Sequence, residues 1–557
     1  MNSNSTGSVL TVIVIILCGC ENKPTEQSAS SALQEFVTSL TPSRGRGQGL
    51  ALEEMSTASF AAGLEKTRGQ LVKLRSIDPA LLVGDDLIDW KFAQSILVGR
   101  EIEQGTTEPW KKDPRIYITF TGILGILNAP GDEAKKIGDV KRLLKLAPIQ
   151  LANGRNQLEY YVPRFQELAL FMTENAFVLF DKEIPAYVSG VGSSADSLLI
   201  LGKAARAGLE DYLTFLRTEL PKRMPGDFAI GVIPYNEMLK GQYLLPYDAD
   251  SLYAFGLAQF KVTVAELEEV AKRIDPKKNW KQLAIEIKNE YPTPDKMIEA
   301  HQQWVDKARE HVIKNNLIPI PWKERVTVVP RAEYLRKTSY YGNFSFARGK
   351  DADSTYSSEW MINPFEEQWD AKRKQEYLVE HDWGVIIVTA PHETYAGHHV
   401  HGLYQANNPR PLRLKNSISL FSEGWGLYNE QLMRETGFFP NDRILLRQLQ
   451  LRLWRNARVI YDVGLHTGRM TYEEAISLMT DQVGFLRWAA QLEVDACCAS
   501  PGYFIGYFTG MMEILRMRDD YKKMKGEAFT LSDFHEKLLK GGSMPTSLMR
   551  EALFNKQ

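Results

Sequence analysis

Cysteine is nearly absent, with four residues in a chain of 557. Cys18 and Cys20 lie at the N-terminus, and Cys497 and Cys498 adjoin one another. Adjacent cysteines rarely bridge, because the ring is strained. A disulfide-stapled scaffold is therefore excluded, and Cys497 and Cys498 read as small buried apolar residues. An excess of either charge is also missing, since 67 Lys and Arg stand against 69 Asp and Glu, with no block of like charge. This argues against nucleic acid as a partner and gives a polyanionic substrate no support. The N-terminal apolar run, Val9 to Leu17, spans nine residues interrupted by Thr11. A membrane-spanning helix needs about twenty.

A run of that length suits a signal-peptide core. Leu17-Cys18-Gly19-Cys20 then resembles a bacterial lipobox. The resemblance implies cleavage before Cys20, lipidation of its thiol, and export to the cell envelope, anchored only by that lipid. No Lys or Arg precedes the run, so an uncleaved N-terminal anchor is the alternative. Glu21 after the cysteine points to the outer membrane.

With 44% apolar residues the chain can bury a sizeable core. It divides into a leader over 1–20, a tether and linker over 21–50, a helical region over 51–317 and a second region over 318–557. A first helix is expected from Ala32 to Leu40. Apolar residues recur at helical spacing from about residue 51, as in Val140 through Leu151. The stretch 323–365 differs, because Val326-Thr327-Val328-Val329 is strand-like and Ser354 to Ile362 lacks helical period. The expected fold class is mostly α, a large helical architecture with a deep cleft and one small β element.

Four of the nine histidines fall within ten residues, in Pro391-His392-Glu393-Thr394-Tyr395-Ala396-Gly397-His398-His399-Val400-His401. Imidazole and carboxylate are the ligands a catalytic zinc uses, leaving one position open for water. A Glu beside a ligand His is the usual general base in helical zinc hydrolases. The spacing is longer than in the familiar motif with histidines four apart. On a straight helix at about 100° per residue, His398 would stand roughly 240° from His392. His399 would return near the first face, but about 10 Å along the axis. The helix must bulge or break if two imidazoles are to share an ion, and Gly397 is placed to permit it. Gly397-His398 mimics the end of the short motif, which favours His398, with His399 as the alternative. Glu423, in Ser422-Glu423-Gly424-Trp425-Gly426-Leu427-Tyr428, is the candidate third ligand. Glu430 lies two turns further on the same face and can orient a ligand. Arg458 and Asp462, four apart, read as a helix-face ion pair.

These motifs resemble the domain-of-unknown-function 885 family. The likeness extends to Arg458, Asp462, Gly464 and His466, to Pro501, Gly502, Tyr507 and Gly510, and to Phe534-His535 through Gly541-Gly542 and Pro545. Gly231, Tyr235 and Leu239 fit a further pattern of that family. It implies a fold related to helical zinc peptidases, a single Zn2+ ion and a peptide substrate. Two departures stand out. Ala496 and Cys497 occupy positions where the family usually has Arg and Tyr, and Tyr503 replaces a residue that is usually Gln. A contact to a substrate carboxylate through that Arg is lost or moved.

The expected reaction is metal-assisted hydrolysis, with zinc on His392, His398 and Glu423 and with Glu393 as general base. Tyr507 and His466 are candidate donors to the developing oxyanion. Tyr340, Tyr341, Arg348 and Tyr503 are candidate cleft residues, while Trp425 and Tyr428 are expected to pack beneath the metal helix. Two alternatives remain open, a non-catalytic peptide-binding lipoprotein and a zinc amidohydrolase of small acylated molecules.

Overall fold

A computed structural model describes residues 1, 25–40, 54–128, 132–331, 342–346, 350–351 and 353–554. Cys20 and its leader lie outside the described residues, as do Tyr340, Tyr341 and Arg348. Among the described residues no helix is long and apolar enough to cross a membrane.

The first helix runs Glu26–Ser39, so it begins within the stretch expected to be tether. A capping box explains the early start, with the Thr25 side chain accepting from the Ser28 amide and Ser28 returning a bond to Thr25. Ala29, Leu33 and Phe36 then fall on one face and are buried.

The fold is mostly helical with little sheet, as expected, and among the described residues the apolar side chains form two cores. Helices Glu133–Gln157, Pro163–Val178 and Ser197–Thr218 build the smaller core around Leu144, Leu151, Ala169, Ala205 and Leu209. The larger core takes Phe92, Leu252, Leu267 and Val305 from before residue 317 and Leu420, Trp425 and Tyr461 from after it. It therefore draws on both sides of the boundary read from sequence.

The strand-like stretches form a three-stranded sheet. Glu324–Pro330 pairs in parallel with Tyr356–Ile362, and Gly342–Ser345 pairs antiparallel on the other side of that central strand. Glu324 stands opposite Tyr356 and Gly342 opposite Ile362.

At the centre lies helix Asp442–His466, which is almost wholly buried although it carries Arg447, Arg452, Arg455, Arg458 and Asp462. Its charges are matched from neighbouring elements. Arg447 meets Asp382 at 2.9 Å, and Asp382 also caps helix Trp383–Glu393 by accepting from the Val385 amide. Arg458 meets Glu493 at 2.7 Å rather than Asp462. The expected pair across four residues does not form, because Asp462 instead takes the Tyr235 hydroxyl and the amides of Gly502 and Phe504, each at 2.9 Å.

Helices Ser419–Glu435 and Ile505–Lys525 approach closely through glycine. A Cβ on Gly510 would fall 1.9 Å from the Leu420 carbonyl oxygen. The contact brings Glu423 and the Tyr503 turn together.

Candidate metal centre

Helix Trp383–Glu393 ends immediately after the His-Glu pair, and a new helix starts at His398. The four residues between them do the work that a straight helix could not. The Gly397 amide donates to the Pro391 carbonyl at 2.9 Å. A Cβ at Gly397 would lie 1.8 Å from the His392 carbonyl oxygen, so the turn admits only glycine. Trp425 secures the same turn by donating its indole N–H to the Ala396 carbonyl at 2.9 Å.

The break brings His398, not His399, to His392. The two rings stand nearly perpendicular with centroids 4.9 Å apart. Glu423 completes the group, with Oε2 at 3.4 Å from His398 Nε2 and 3.9 Å from His392 Nε2. One ligand atom from each of the three lies within 4.8 Å of the other two. Side-chain exposures of 4% for His392, 19% for His398 and 15% for Glu423 leave the group reachable from one side. Gly426 makes room for it, because a Cβ there would sit 2.7 Å from the His392 ring.

His399 turns away from this group. Its Nε2 lies 2.9 Å from Glu324 Oε2 and its Nδ1 lies 2.9 Å from Ser358 Oγ. The alternative ligand read from sequence is thus committed to the sheet. Glu324 also accepts from the Tyr395 hydroxyl and, at 2.9 Å, from Arg309. The Lys323-Glu324-Arg325 context reads as a solvated surface, so nothing in the sequence marks this carboxylate as buried.

Two of the three candidate ligands have a partner behind them. Glu430 Oε1 lies 2.9 Å from His392 Nδ1. A carboxylate can only accept, so Nδ1 carries a proton and Nε2 is the nitrogen that faces the cluster. Tyr503 donates its hydroxyl to Glu423 Oε1 at 2.8 Å, leaving Oε2 to the histidines. Tyr503 therefore reaches the candidate ligand rather than standing alone as a cleft residue. Tyr507 is half-buried, with its ring 6.0 Å from Tyr503 and with Arg458 stacked 4.3 Å over it. Burial, and then the Glu423 charge, push its hydroxyl pKa up.

Glu393 is half-buried beside His392 and, among the described residues, its side chain forms no ion pair. His466 does not join this group. It is buried elsewhere, with Nε2 at 3.0 Å from the Cys497 carbonyl. Trp425 and Tyr428 are fully buried, and Tyr428 bonds His535 Nε2 at 2.7 Å.

The carboxylates and imidazoles of the cluster stabilise one another's charged forms. Burial alone would raise the Glu423 pKa, but the charges of His398 and His392 beside it hold it well below the usual carboxylate range. Burial would likewise depress His392, yet Glu423 and Glu430 carry it up to about 9. Two imidazoles and one carboxylate, with one side open, match the donor set of a catalytic zinc.

The family described as "Bacterial protein of unknown function (DUF885)" matches residues 42–553. Two solved structures share the fold. One is a candidate lipoprotein of unknown function from Shewanella oneidensis, 20% identical with a TM-score of 0.75, the match covering 95% of this chain and 99% of that one. The other is a candidate lipoprotein from Colwellia psychrerythraea, 18% identical with a TM-score of 0.71, covering 96% of this chain and 97% of that one. No curated protein matches the chain.

Proposed function

The chain belongs to the DUF885 family of bacterial proteins of unknown function, and on that premise we propose that it is a zinc-dependent hydrolase that cleaves peptide bonds, of carboxypeptidase or oligopeptidase type. The observation that carries this reading is the convergence of His392, His398 and Glu423 to within 4.8 Å. These residues would hold the ion, while Glu430 and Tyr503 fix two of them from behind. A zinc ion bound there supplies Lewis acidity, which lowers the pKa of water and polarises a carbonyl.

The chain's own groups do the rest. Glu393 takes a proton from the attacking water and passes it to the leaving amine. Tyr507 donates its hydroxyl to the oxyanion, and the Glu423 charge and burial keep that hydroxyl protonated for the purpose. A peptide would lie along edge strand Gly342–Ser345, whose Phe344 ring is 6.4 Å from His399, by adding a strand to the sheet. Export with a lipid on Cys20 would place the enzyme at the cell envelope, and the lipoprotein descriptions of both structural neighbours support this.

The test is Glu393→Gln in the zinc-loaded protein, assayed on a fluorogenic peptide library. Activity should fall by about 10²–10⁴-fold with zinc content unchanged. Equal turnover would remove Glu393 from the chemistry. A zinc-loaded wild type that binds peptides without cutting them would make this a binding protein, the reading that Ala496 and Cys497 favour.

A further inference from the structure

Behind the Tyr503 turn lies a second group of metal-ligating side chains that the proposed hydrolysis does not use. Asp462, His466 and Cys497 are all buried, and a ligand atom of each lies within 4.8 Å of the other two. They come from the end of helix Asp442–His466 and from helix Arg487–Cys498.

His466 Nε2 faces the Cys497 carbonyl at 3.0 Å, and a carbonyl only accepts, so Nε2 carries the proton. Nδ1 is left as a bare lone pair, and among the described residues it has no hydrogen-bond partner although the ring is fully buried. An orphaned buried acceptor is costly unless something binds it. Rings hem it in, with Tyr235 stacked at 6.3 Å and Phe228 edge-on at 6.1 Å.

Asp462 has capacity to spare. Oδ1 accepts from the Tyr235 hydroxyl and the Gly502 amide, and Oδ2 from the Phe504 amide alone. Among the described residues no Lys or Arg forms an ion pair with it. A buried carboxylate normally pairs with a cation or coordinates a metal.

We propose that Asp462, His466 and Cys497 form a second, structural metal site for a thiophilic divalent cation such as zinc. The Cys497 thiol loses its proton to solvent as it binds, so carboxylate, thiolate and dication sum to no net charge, which a buried site tolerates. Tetrahedral zinc with bonds of about 2.0–2.3 Å needs donors about 3.5 Å apart, so the three groups close in only modestly. The sulfur sets this ion apart from one at the first site, which contains only imidazole and carboxylate. Bound there, the ion would tie the end of the central helix to helix Arg487–Cys498 and to the turn carrying Tyr503, and so would brace the residue that holds Glu423.

The test reads metal–sulfur bonding and needs no activity. The full chain is purified from cells grown with cobalt, and its near-ultraviolet absorbance is recorded. A thiolate-to-cobalt charge-transfer band is expected, lost in Cys497→Ser and retained in Cys498→Ser and in Glu423→Gln. X-ray absorption of the zinc-loaded wild type should add one sulfur neighbour at about 2.3 Å, a measurement that requires no variant to fold. Cobalt- or zinc-loaded protein without any sulfur ligand overturns the proposal, as does an undiminished band in Cys497→Ser. Neither result bears on the His392 site, whose reading fails or stands on Glu393→Gln.

Discussion

At the scale of single residues, the candidate metal group depends on what stands behind His392 and Glu423 as well as on those residues themselves. Glu430 is wholly buried at 2.9 Å from His392 Nδ1 and fixes which nitrogen faces the cluster. Glu430→Gln keeps the shape but removes the charge that favours this tautomer. Zinc affinity, measured by competition with a chelator, should fall about 10–100-fold, with helix content unchanged. Unaltered affinity would make Glu430 a packing residue. Its place was legible in the sequence, because seven residues return a helix to the same face and Glu423 already pointed there. Tyr503 was legible only as a departure from the family pattern. It lies 80 residues from Glu423 in a turn, and no periodicity links a turn to a distant helix. Glu324 left no signal at all, since its burial comes from Tyr395, His399 and Arg309, which lie on other elements that only the fold brings to it.

At the scale of elements, glycines decide how near the helices come. Gly510→Ala would drive a Cβ to 1.9 Å from the Leu420 carbonyl oxygen and push helices Ser419–Glu435 and Ile505–Lys525 apart. The expected cost is about 1–3 kcal/mol, read as a lower thermal midpoint. Gly138→Ala, in helix Glu133–Gln157, meets nothing within 4 Å. It should raise stability by roughly 0.4–1 kcal/mol, because it only narrows the unfolded ensemble. Equal effects of the two would refute the steric account. The same scale shows where sequence geometry misled. Helical angles computed along an unbroken helix left His398 and His399 in competition, whereas the chain stops one helix at Glu393 and starts another at His398. Gly397 was the visible clue that a break was allowed, but not where each histidine would point. The small sheet was visible in its β-branched and polar run; the parallel pairing of its first and last strands was not, because register depends on a connection that the pattern does not encode.

At the scale of the whole molecule, buried uncharged histidines make the fold sensitive to acid. His301, His381 and His535 are three that lie outside both candidate metal sites. Burial lowers His301 from 6.5 to about 3, with a smaller contribution from His381. Burial lowers His381 to about 4, opposed by its hydrogen bond to the Tyr377 carbonyl and by Asp382, with a small further lowering from Arg373. It lowers His535 to about 4 as well, with Arg518 and Glu435 opposing each other nearby. Each ring is neutral in the fold and protonates readily once unfolded. The unfolded chain therefore binds more protons below pH 6.5, and stability falls as pH falls. The contribution is complete above pH 6.5 and drains away toward pH 4 for His381 and His535, and toward pH 3 for His301. At pH 5 each ring would cost about 2 kcal/mol, from roughly 1.4 kcal/mol per pH unit. Thermal midpoints should drop steeply between pH 7 and pH 5, and His535→Gln should flatten that slope while lowering the midpoint at pH 7, because the Tyr428 and Leu317 contacts weaken. An identical pH slope in that variant would mean that His535 is already charged in the fold, which its place between a hydroxyl and a carbonyl does not favour. The two contacts lock the ring differently at its two nitrogens, with Nδ1–H given to the Leu317 carbonyl and Nε2 taking the Tyr428 proton, and a second proton on Nε2 would break the bond that anchors the underside of the metal helix.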